Sequence, residues 1–326
     1  MPTKLFKKKP FLLIALFPAI LLAGCGSSSD SDEKPVADKS FPEGAIMLPA
    51  DNLTTAAKKA FINAEPGDVI VFPKGRFEIQ GTLTFDGDSA GTGEPTNNVT
   101  ITGYGMEDTI LNFENASGAG DGIFVQNGKD ITISDLGVYE AAANAIKLKN
   151  TDGVILRSVA TVWEGELNQE NGSYGLYPVE CQNILIEDTY VRGSADAGIY
   201  VGQSSNIVVR NNVAEENVAG IEIENSVNAD VYGNLAEKNT GGILVFDLPI
   251  GNHLYGSNVR VFDNDVTGNN TKNFANADDF LGGVHIVPPG TGVILLAASD
   301  VEVYNNRISD HKTTSVVTTS YYIADD

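Results

Sequence analysis

A repeat of 22 or 23 residues constrains the fold of this chain more than any other feature of its sequence. Four stretches align on a Gly/Ala-Ile pair and on the valine-rich run that follows it: residues 128–150, 181–203, 204–225 and 226–247. In each stretch Ile and Val alternate with polar residues over three to five positions, and Asn, Gly, Asp or Ser bounds the run. Alternation with a period of two predicts short strands rather than helices. A unit this small cannot bury its apolar face alone, so successive units must stack on one another.

Stacking of such units predicts an all-β fold, a parallel β-helix whose coils lie about 4.8 Å apart. A leucine-rich solenoid is the competing repeat fold, but its leucine spacing is absent. Two inward columns are expected, one of Ile131, Ile184 and Ile207 and one of Ile146, Ile199, Ile221 and Ile243. Asparagines recur near one corner of successive coils, where a left-handed backbone is needed and where amides can bond in a ladder. They are Asn211, Asn212, Asn234, Asn264, Asn305 and Asn306.

The two ends of the predicted solenoid differ. Asp51 or Asn52 can cap a helix that runs to about Ala64 and that has one apolar face. We expect this capping helix to cover the open N-terminal end, which otherwise exposes unpaired strand edges. The last apolar run, residues 315–323, is followed by no visible capping element. We therefore expect either that a partner covers that edge or that the chain is short there.

The first 25 residues are typical of a targeting signal. Four lysines precede a short apolar run, residues 11–22, which ends in Leu22-Ala23-Gly24-Cys25. This ending resembles the lipobox of bacterial lipoproteins, which implies cleavage before Cys25 and lipidation of Cys25 as a membrane anchor. An ordinary secretory signal is the alternative. We predict a lipoprotein signal peptide over 1–24, a flexible tether over 25–40 and a β-helix domain over 41–326. Gly26 after the cysteine favours the outer membrane over the inner membrane, outside the cytoplasm.

Composition excludes several classes of function. Twenty-one Lys and Arg stand against 43 Asp and Glu, for a net charge of −22, which argues against nucleic acid as a partner. Three His and two Cys leave no room for an imidazole-rich or cysteine-rich metal site or for a disulfide framework. With Cys25 lipidated, Cys181 is the remaining thiol, and we expect it to be a small buried apolar residue.

The N-terminal stretches LTTAAKKAFINAEPGDVIVFPKGRFEI and NVTITGYGMEDTILNF resemble the start of pectin-lyase-like right-handed β-helix proteins. Residues 174–212 more narrowly resemble a group of bacterial lipoproteins with parallel β-helix repeats. Members of that group are generally of undefined activity, and many are encoded beside a secreted cytochrome-like protein. The resemblance implies a right-handed, single-stranded β-helix and a secreted redox protein as a candidate partner. It leaves the reaction open, because β-helices include lyases, hydrolases, epimerases and binding proteins.

One segment is similar to the Tyr-Gly-x-Asp-Pro-His-Asp motif of alginate C5-epimerases. In residues 174–180, YGLYPVE, the Tyr, Gly and Pro match, whereas Tyr177 replaces the Asp, Val179 replaces the His and Glu180 takes the second acidic position. The resemblance implies Tyr174 as a proton carrier, with Glu180 as the acid and Lys147, one coil earlier, offsetting a substrate carboxylate. The alternative is a scaffold that keeps only the backbone turn of this motif.

Outward positions of the Gly-Ile strands predict a second kind of site. The residue after each Ile and the residue two positions later should point away from the core. Aromatic rings beside charges are typical of a sugar-binding groove, although a solvated sheet face is the alternative. The predicted binding residues are Tyr177, Tyr200, Glu222, Glu224 and Phe246.

A calcium site is a further candidate, since hard cations take carboxylate ligands. Its residues would be Asp247, Asp263 and Asp265, for which turn formation is the alternative interpretation. His253 and His285 lie in the longer insertions, 248–258 and 268–290, and His311 lies near the C-terminal turn. We interpret all three as loop residues, and the insertions as possible walls of a groove.

Three functions follow from these features. The first is a lipid-anchored protein that binds a polysaccharide or a partner protein without turnover. The second is a lyase or mannuronan C5-epimerase acting on uronate-containing glycans, against which the strong negative charge argues, because it repels polyuronates. The third is a structural member of a complex with the cytochrome-like protein.

Overall fold

The computed structural model describes residues 39–118, 120–249, 255–276 and 283–323. The chain divides into two units, residues 1–39 and 40–326, and all the elements below belong to the second. The predicted signal peptide, Cys25, almost all of the tether, and His253 lie outside the described residues. Among the described helices, none combines the length and the apolar character needed to cross a membrane.

The described residues form one α-helix, α1 (Leu53–Ile62), two 3-10 helices at Val284–Ile286 and Tyr321–Ile323, and 26 strands. The strands are β1 (Ile46–Met47), β2 (Val69–Val71), β3 (Gly75–Glu78), β4 (Leu83–Asp86), β5 (Thr100–Thr102), β6 (Thr109–Asn112), β7 (Ile123–Gln126), β8 (Lys129–Tyr139), β9 (Asn144–Lys149), β10 (Asp152–Val162), β11 (Tyr174–Val179), β12 (Gln182–Glu187), β13 (Tyr190–Arg192), β14 (Ala197–Gly202), β15 (Ser205–Arg210), β16 (Val213–Glu215), β17 (Ala219–Glu224), β18 (Val227–Tyr232), β19 (Leu235–Glu237), β20 (Gly241–Phe246), β21 (Ser257–Phe262), β22 (Asp265–Thr267), β23 (Thr291–Leu296), β24 (Val301–Tyr304), β25 (Arg307–Ser309) and β26 (Thr314–Thr319).

These strands wind into a right-handed parallel β-helix, as the repeat and the resemblance predict. Sheet 1 contains nine parallel strands in the order β4-β7-β9-β11-β14-β17-β20-β23-β26. Sheet 2 contains the other 17 strands. In the central coils two short strands follow each other in sheet 2, such as β12 and β13, before the chain returns to sheet 1.

The inward columns form in the predicted register. In sheet 2, Ile131 pairs with Val154, Val154 with Ile184, and Ile184 with Ile207. In sheet 1, Leu176 stands between Ile146 and Ile199, and the column continues through Ile221 and Ile243. Val154 and Leu176 belong to the coil between the aligned repeats. All the members are buried, and each such side chain contributes about 1.5–3 kcal/mol by leaving water.

The predicted asparagine ladder is present at the corner between the two strands of sheet 2. The Nδ2 of Asn212 donates to Asn234 Oδ1, Asn234 to Asn264, and Asn264 to Asn306, each over 2.9 Å. The backbone N–H of each residue also donates to the next Oδ1 in the series, over 3.0 Å. Because the amides of Asn212, Asn234 and Asn264 are buried, the ladder satisfies polar groups that would otherwise destabilise the corner.

A second buried ladder, which the sequence alignment does not identify, runs through Asn217, Asn239 and Asn269. It ends at His311, whose Nε2 lies 3.1 Å from Asn269 Nδ2. Because the Asn269 amide nitrogen can only donate, His311 Nε2 accepts and the ring is neutral. Burial lowers the pKa of His311, in agreement with a neutral ring. His311 is thus a structural residue of the C-terminal coils, as its interpretation as a loop residue implied.

Helix α1 covers the N-terminal end of the core as predicted. Leu53, Ala57 and Phe61 are buried, and the ring of Phe61 meets those of Phe72 and Phe85 edge-on. The predicted side-chain cap is wrong: Asn52 is the N-cap residue, but its backbone is left-handed and its side chain makes no cap hydrogen bond. At the other end, Val316 of β26 is 44% exposed, although it continues an inward column.

Candidate functional site: the outer face of sheet 1

The outer face of sheet 1 has a row of side chains that alternates with the buried isoleucine column. Because the isoleucines point inward, the next residue of every coil must point outward. The parallel register places these residues at one position of successive coils. The row, here called the outer row, is Phe124, Lys147, Tyr177, Tyr200, Glu222 and Leu244, as predicted.

The outer row divides into an open half and a covered half. Phe124, Lys147 and Tyr177 are partly exposed, whereas Tyr200 is 4% and Glu222 is 1% exposed. The cover is the connection between β22 and β23, here called the strap and defined as residues 271–276 and 283–290. Its apolar side chains pack on the face as a second apolar cluster, separate from the interior core.

Apolar contacts and one amide hold the strap. Val284 and Val287 belong to the same buried cluster as Leu244 and Phe246. The Nδ2 of Asn273 donates to the carbonyl oxygens of Val284, His285 and Val287 over 2.9, 3.3 and 3.0 Å. One side chain therefore links the two described parts of the strap.

The structure differs here from the prediction of an open groove. Tyr200, Glu222, Glu224 and Phe246 are buried in the covered half, where Tyr200 and Phe246 pack in one cluster with the strap, and only Tyr177 of the predicted binding residues is accessible. The physical reason is that Leu244 and Phe246 make the C-terminal half of the face apolar. An apolar connection therefore packs on top of the face instead of forming the side of an open groove.

Three tyrosines meet where the open half ends. The ring of Tyr174 lies 4.5 Å from that of Tyr177 and 4.7 Å from that of Tyr200, and Tyr177 and Tyr200 are 5.0 Å apart. Lys147 Nζ stands 4.9 Å from the centre of the Tyr177 ring and 5.8 Å from that of Phe124. The open half is thus a track of two aromatic rings, Phe124 and Tyr177, with the Lys147 ammonium group between them.

The phenol groups of this cluster are held in their protonated form. Burial, together with the negative charge of Asp196, raises the pKa of Tyr174 well above its ordinary value. Burial and the charge of Glu224 raise the pKa of Tyr177 to about 12. None of the three phenols is therefore an effective base at neutral pH.

Two glutamates lie under the strap beside these rings. Neither carboxyl oxygen of Glu222 has a hydrogen-bond partner, and burial raises its pKa well above the ordinary value. Glu224 accepts from Gln203 Nε2 over 3.1 Å, and burial raises its pKa to about 7. Burial without hydrogen-bond partners therefore favours the protonated form of Glu222, and Glu224 titrates near neutral pH.

A polar pocket of about 240 Å³ opens beside Tyr174, at the starts of the sheet 1 strands. Coil residues and strap residues line it together: Ala142, Gln169, Glu170, Asn171, Ser173, Ala195, Asp196, Ala275, Asn276, Val284 and His285. Because Tyr174 pairs with Ala197, Ser173 and Asp196 occupy the same position of adjacent coils. His285, interpreted from sequence as a loop residue, lies in the strap and faces this pocket.

The pocket residues Glu170, Asn171, Ser173 and Asp196 are absent from the sequence-predicted site. The sequence does indicate the position of Asp196. It immediately precedes an Ala-Gly-Ile strand, and the residues before such strands line the edge at which the sheet 1 strands begin. No repeat marks Glu170 and Asn171, which lie in the irregular loop between β10 and β11.

The residues of the epimerase-like motif are not brought together. Tyr174 begins β11, whereas Glu180 follows its end, and six residues of strand place them about 20 Å apart. Glu180 has a left-handed backbone and lies 3.6 Å from Lys149 Nζ. Lys147 contacts Tyr177 instead of standing over Tyr174.

The three predicted calcium ligands are divided between two corners: Asp247 follows β20, whereas Asp263 and Asp265 flank Asn264 between β21 and β22. Asp247 follows β20 and accepts from the Gly256 backbone N–H over 2.8 Å. Asp263 lies beyond β21 with a left-handed backbone, and Asp265 pairs with Arg307 over 2.9 Å. Within the described part of the chain, no three His, Cys, Asp or Glu side chains are arranged to hold a metal ion.

Cys181, which directly follows β11, is a buried free cysteine. Burial raises its pKa to about 11, which suits the predicted role as a small apolar residue.

Comparison with solved structures shows similarity in fold. The chain is similar to the A-module of a mannuronan C-5 epimerase from Azotobacter vinelandii, with 16% identity, 84% of this chain and 79% of that chain covered, and a TM-score of 0.50. It is similar to a pectate lyase, with 14% identity, coverage of 84% and 72%, and a TM-score of 0.52. It is also similar to DFA-IIIase from Arthrobacter chlorophenolicus, with 12% identity, coverage of 83% and 70%, and a TM-score of 0.56. At these identities the likeness establishes the fold and not the activity.

No curated protein sequence matches the chain. A family model described as a right handed beta helix region matches residues 121–308, which is more than half of the chain. These residues contain the central coils and the outer row. The chain therefore belongs to the family of proteins with a right-handed β-helix region.

Proposed function

We propose that the chain binds a polysaccharide along the open half of the outer row, without turnover. The observation that carries the proposal is the partly exposed track of Phe124, Lys147 and Tyr177 in three successive coils. Aromatic faces bind the C–H faces of sugar rings, and a cation beside them bonds hydroxyl groups. The fold shared with proteins named for action on polysaccharides supports the same class of ligand. In this proposal a lipid on Cys25 holds the site outside the cytoplasm.

Binding without turnover is supported by the protonation of the cluster. Proton abstraction from a sugar needs a base whose pKa is near the working pH. The raised pKa of Tyr174 makes it a poor base, and Glu180 lies at the other end of β11. Glu224 titrates near neutrality, but it is 6% exposed beneath the strap and is kept from a ligand on the open half.

An enzyme acting on uronate-containing glycans remains the second candidate, since Tyr174 contacts Tyr177, which Lys147 in turn covers. Lys147 could offset a substrate carboxylate there. The carboxylate of Asp196 acts against such a substrate, because it places negative charge beside the same tyrosine. The two candidates thus predict opposite preferences between neutral and acidic glycans.

The test is titration calorimetry of the full chain with neutral oligosaccharides and with oligouronates. We expect Tyr177→Ala to weaken neutral glycan binding about tenfold or more, because it removes the accessible tyrosine ring of the track. Tyr322→Ala is the matched control, since Tyr322 is 82% exposed and remote in sequence from the track. Equal losses in both variants, or binding that neither variant changes, would refute the site.

The enzymatic alternative is tested on the same samples. Unsaturated products would be followed by ultraviolet absorbance and C5 inversion by proton NMR. Product formed by the wild type and lost in Tyr174→Phe would establish turnover and displace the proposal. Binding without product under all conditions, with and without Ca²⁺, is the outcome that we expect.

A further inference from the structure

The polar pocket beside Tyr174 has a negatively charged lining, in contrast to the open half of the outer row, which carries Lys147. Asp196 and Glu170 line it, and among the described residues no Lys or Arg does. Asp196 is 7% exposed, so its carboxylate is largely removed from water while it faces the pocket. A negative charge in such surroundings attracts a cation more strongly than one on an open surface does.

The rest of the lining suits a ligand rich in hydroxyl groups. Gln169, Asn171 and Asn276 supply amides, and Ser173 supplies a hydroxyl. The Nδ2 of Asn171 donates to the Gly193 carbonyl over 2.7 Å, which fixes this side chain in the wall. Convergent polar groups of this kind give orientation and specificity to a small ligand.

The size of the pocket limits the ligand to about one ring. Its volume of 240 Å³ is below the roughly 300–1,000 Å³ typical of sites for drug-sized ligands. Ala275, Val284 and His285 of the strap form one wall, and Ser173 and Asp196 of adjacent coils form part of the other. The strap therefore completes the pocket as well as covering the face.

We infer that this pocket binds one amine-bearing sugar residue of a glycan, with Asp196 accepting a charge-assisted hydrogen bond from the ammonium group. The inference rests on the proposed function, because the sugar residues next to the one in the pocket would lie along Tyr174 and reach Tyr177. It adds a selectivity that the outer row lacks: an amino sugar is preferred over its N-acetylated form, and a uronate is excluded. Glu170, an exposed residue of the same lining, adds to the same attraction.

The test compares short probes by titration calorimetry of the full chain at mildly acidic pH. The probes are a trimer of glucosamine, its fully N-acetylated form and a triuronate. We expect the glucosamine trimer to bind about tenfold more tightly than the acetylated trimer, and the triuronate not to bind. A hydrogen bond to a charged group accounts for a difference of this size.

Variants separate the pocket from general attraction to an acidic protein. Asp196→Asn should abolish the preference for the free amine, and Glu170→Gln, in an exposed loop, should reduce it several-fold. Glu302→Gln removes the same charge from an exposed position on sheet 2 and should change affinity less than twofold. Thermal melting checks that each variant is folded. If Asp196→Asn does not fold, Glu170→Gln still tests the role of the pocket's negative charge.

The outcomes distinguish the inference from the function on which it rests. If both neutral and amine trimers bind equally in the wild type, the amine-selective pocket is refuted and the binding track stands. Failure of every trimer to bind refutes both. A loss in Glu302→Gln that equals the loss in Asp196→Asn would mean that the amine is attracted by overall charge, and would also overturn the pocket.

Discussion

The environment of Glu222 in the structure differs from the one that its sequence pattern predicts. In the sequence it is an outward-pointing acid in a strand, which is the usual place of a solvated charge. In the structure it lies between Tyr200 and Leu244 in the outer row and is closed off by the strap. Its two unpartnered oxygens make ionisation costly, so the strap is most stable while Glu222 keeps its proton.

This protonation makes stability depend on pH with a definite sign. The pKa values of Glu222 and Glu224 are raised in the folded state, so the folded chain holds protons that the unfolded chain releases above its ordinary value of 4.5. The stabilisation is complete below that value and is lost as the pH rises through the folded pKa, which is about 7 for Glu224. We therefore expect the melting temperature to fall between pH 5 and pH 8.

Glu222→Gln should remove much of this dependence, since an amide of the same shape cannot ionise. The variant should melt a few degrees above the wild type at pH 8, corresponding to about 1–3 kcal/mol, and differ little at pH 5. Glu302→Gln, at an exposed glutamate, is the control and should leave the slope unchanged. A wild type whose melting temperature is flat across this range would contradict the raised pKa values. Calorimetric melts of the wild type and the two variants at several pH values measure these differences.

The elements of the β-helix were predictable to the extent that they repeat. The isoleucine columns and the corner asparagines follow from a period of 22 or 23 residues, because every coil must place the same side chain in the same surroundings. The coil at residues 152–180 was harder to align, since Val154 and Leu176 stand where its neighbours have Ile. The second ladder is less regular than the first, because its last member is a histidine, His311.

The buried ladder should be a major source of stability at the corners. Asn234→Ala removes the acceptor of two bonds from Asn212 and the donor to Val209 and Asn264, leaving buried polar groups unpaired. We expect a loss of about 2–4 kcal/mol in the free energy of unfolding, measured with denaturant.

An exposed ladder provides the control for this prediction. The Nδ2 of Asn258 donates to Asn228 over 2.9 Å at the surface of sheet 2, where water can replace the bond. Because its backbone is left-handed, with φ of 56°, glycine removes the amide without strain. Asn258→Gly should cost less than about 0.5 kcal/mol, and equal costs at the two positions would mean that burial does not determine the value of the ladder.

At the scale of the whole molecule, the strap is the feature that the sequence could not reveal. Its contacts join residues 283–290 to coils whose strands begin as early as Tyr174, and nothing in the irregular connection repeats. Periodicity predicts what lies inside a solenoid and which residues face outward. It does not predict which outward faces a non-repeating segment will cover, so the open and covered halves of the outer row were indistinguishable.

Two separate apolar clusters imply that the strap can be released without unfolding the coils. Val287 packs in the outer cluster and is buried, whereas the inward columns belong to the interior core. Val287→Asp places an unpaired charge under the strap. We expect hydrogen exchange to rise at least tenfold in peptides covering 283–290, while the strands from β12 to β18 keep their protection through bonds between coils.

Release of the strap should also change the pKa values of the carboxyl groups that are buried in the covered half. Once water reaches Glu222 and Glu224, their pKa values should return towards the ordinary range, and the fall in melting temperature above pH 5 should weaken in Val287→Asp. Val208→Asp is a matched control on the outer face of sheet 2, where Val208 is partly exposed and away from the strap. If Val287→Asp instead raises exchange throughout the coils, the strap is part of a single cooperative fold, and the pocket beside Tyr174 is a permanent structure that does not open.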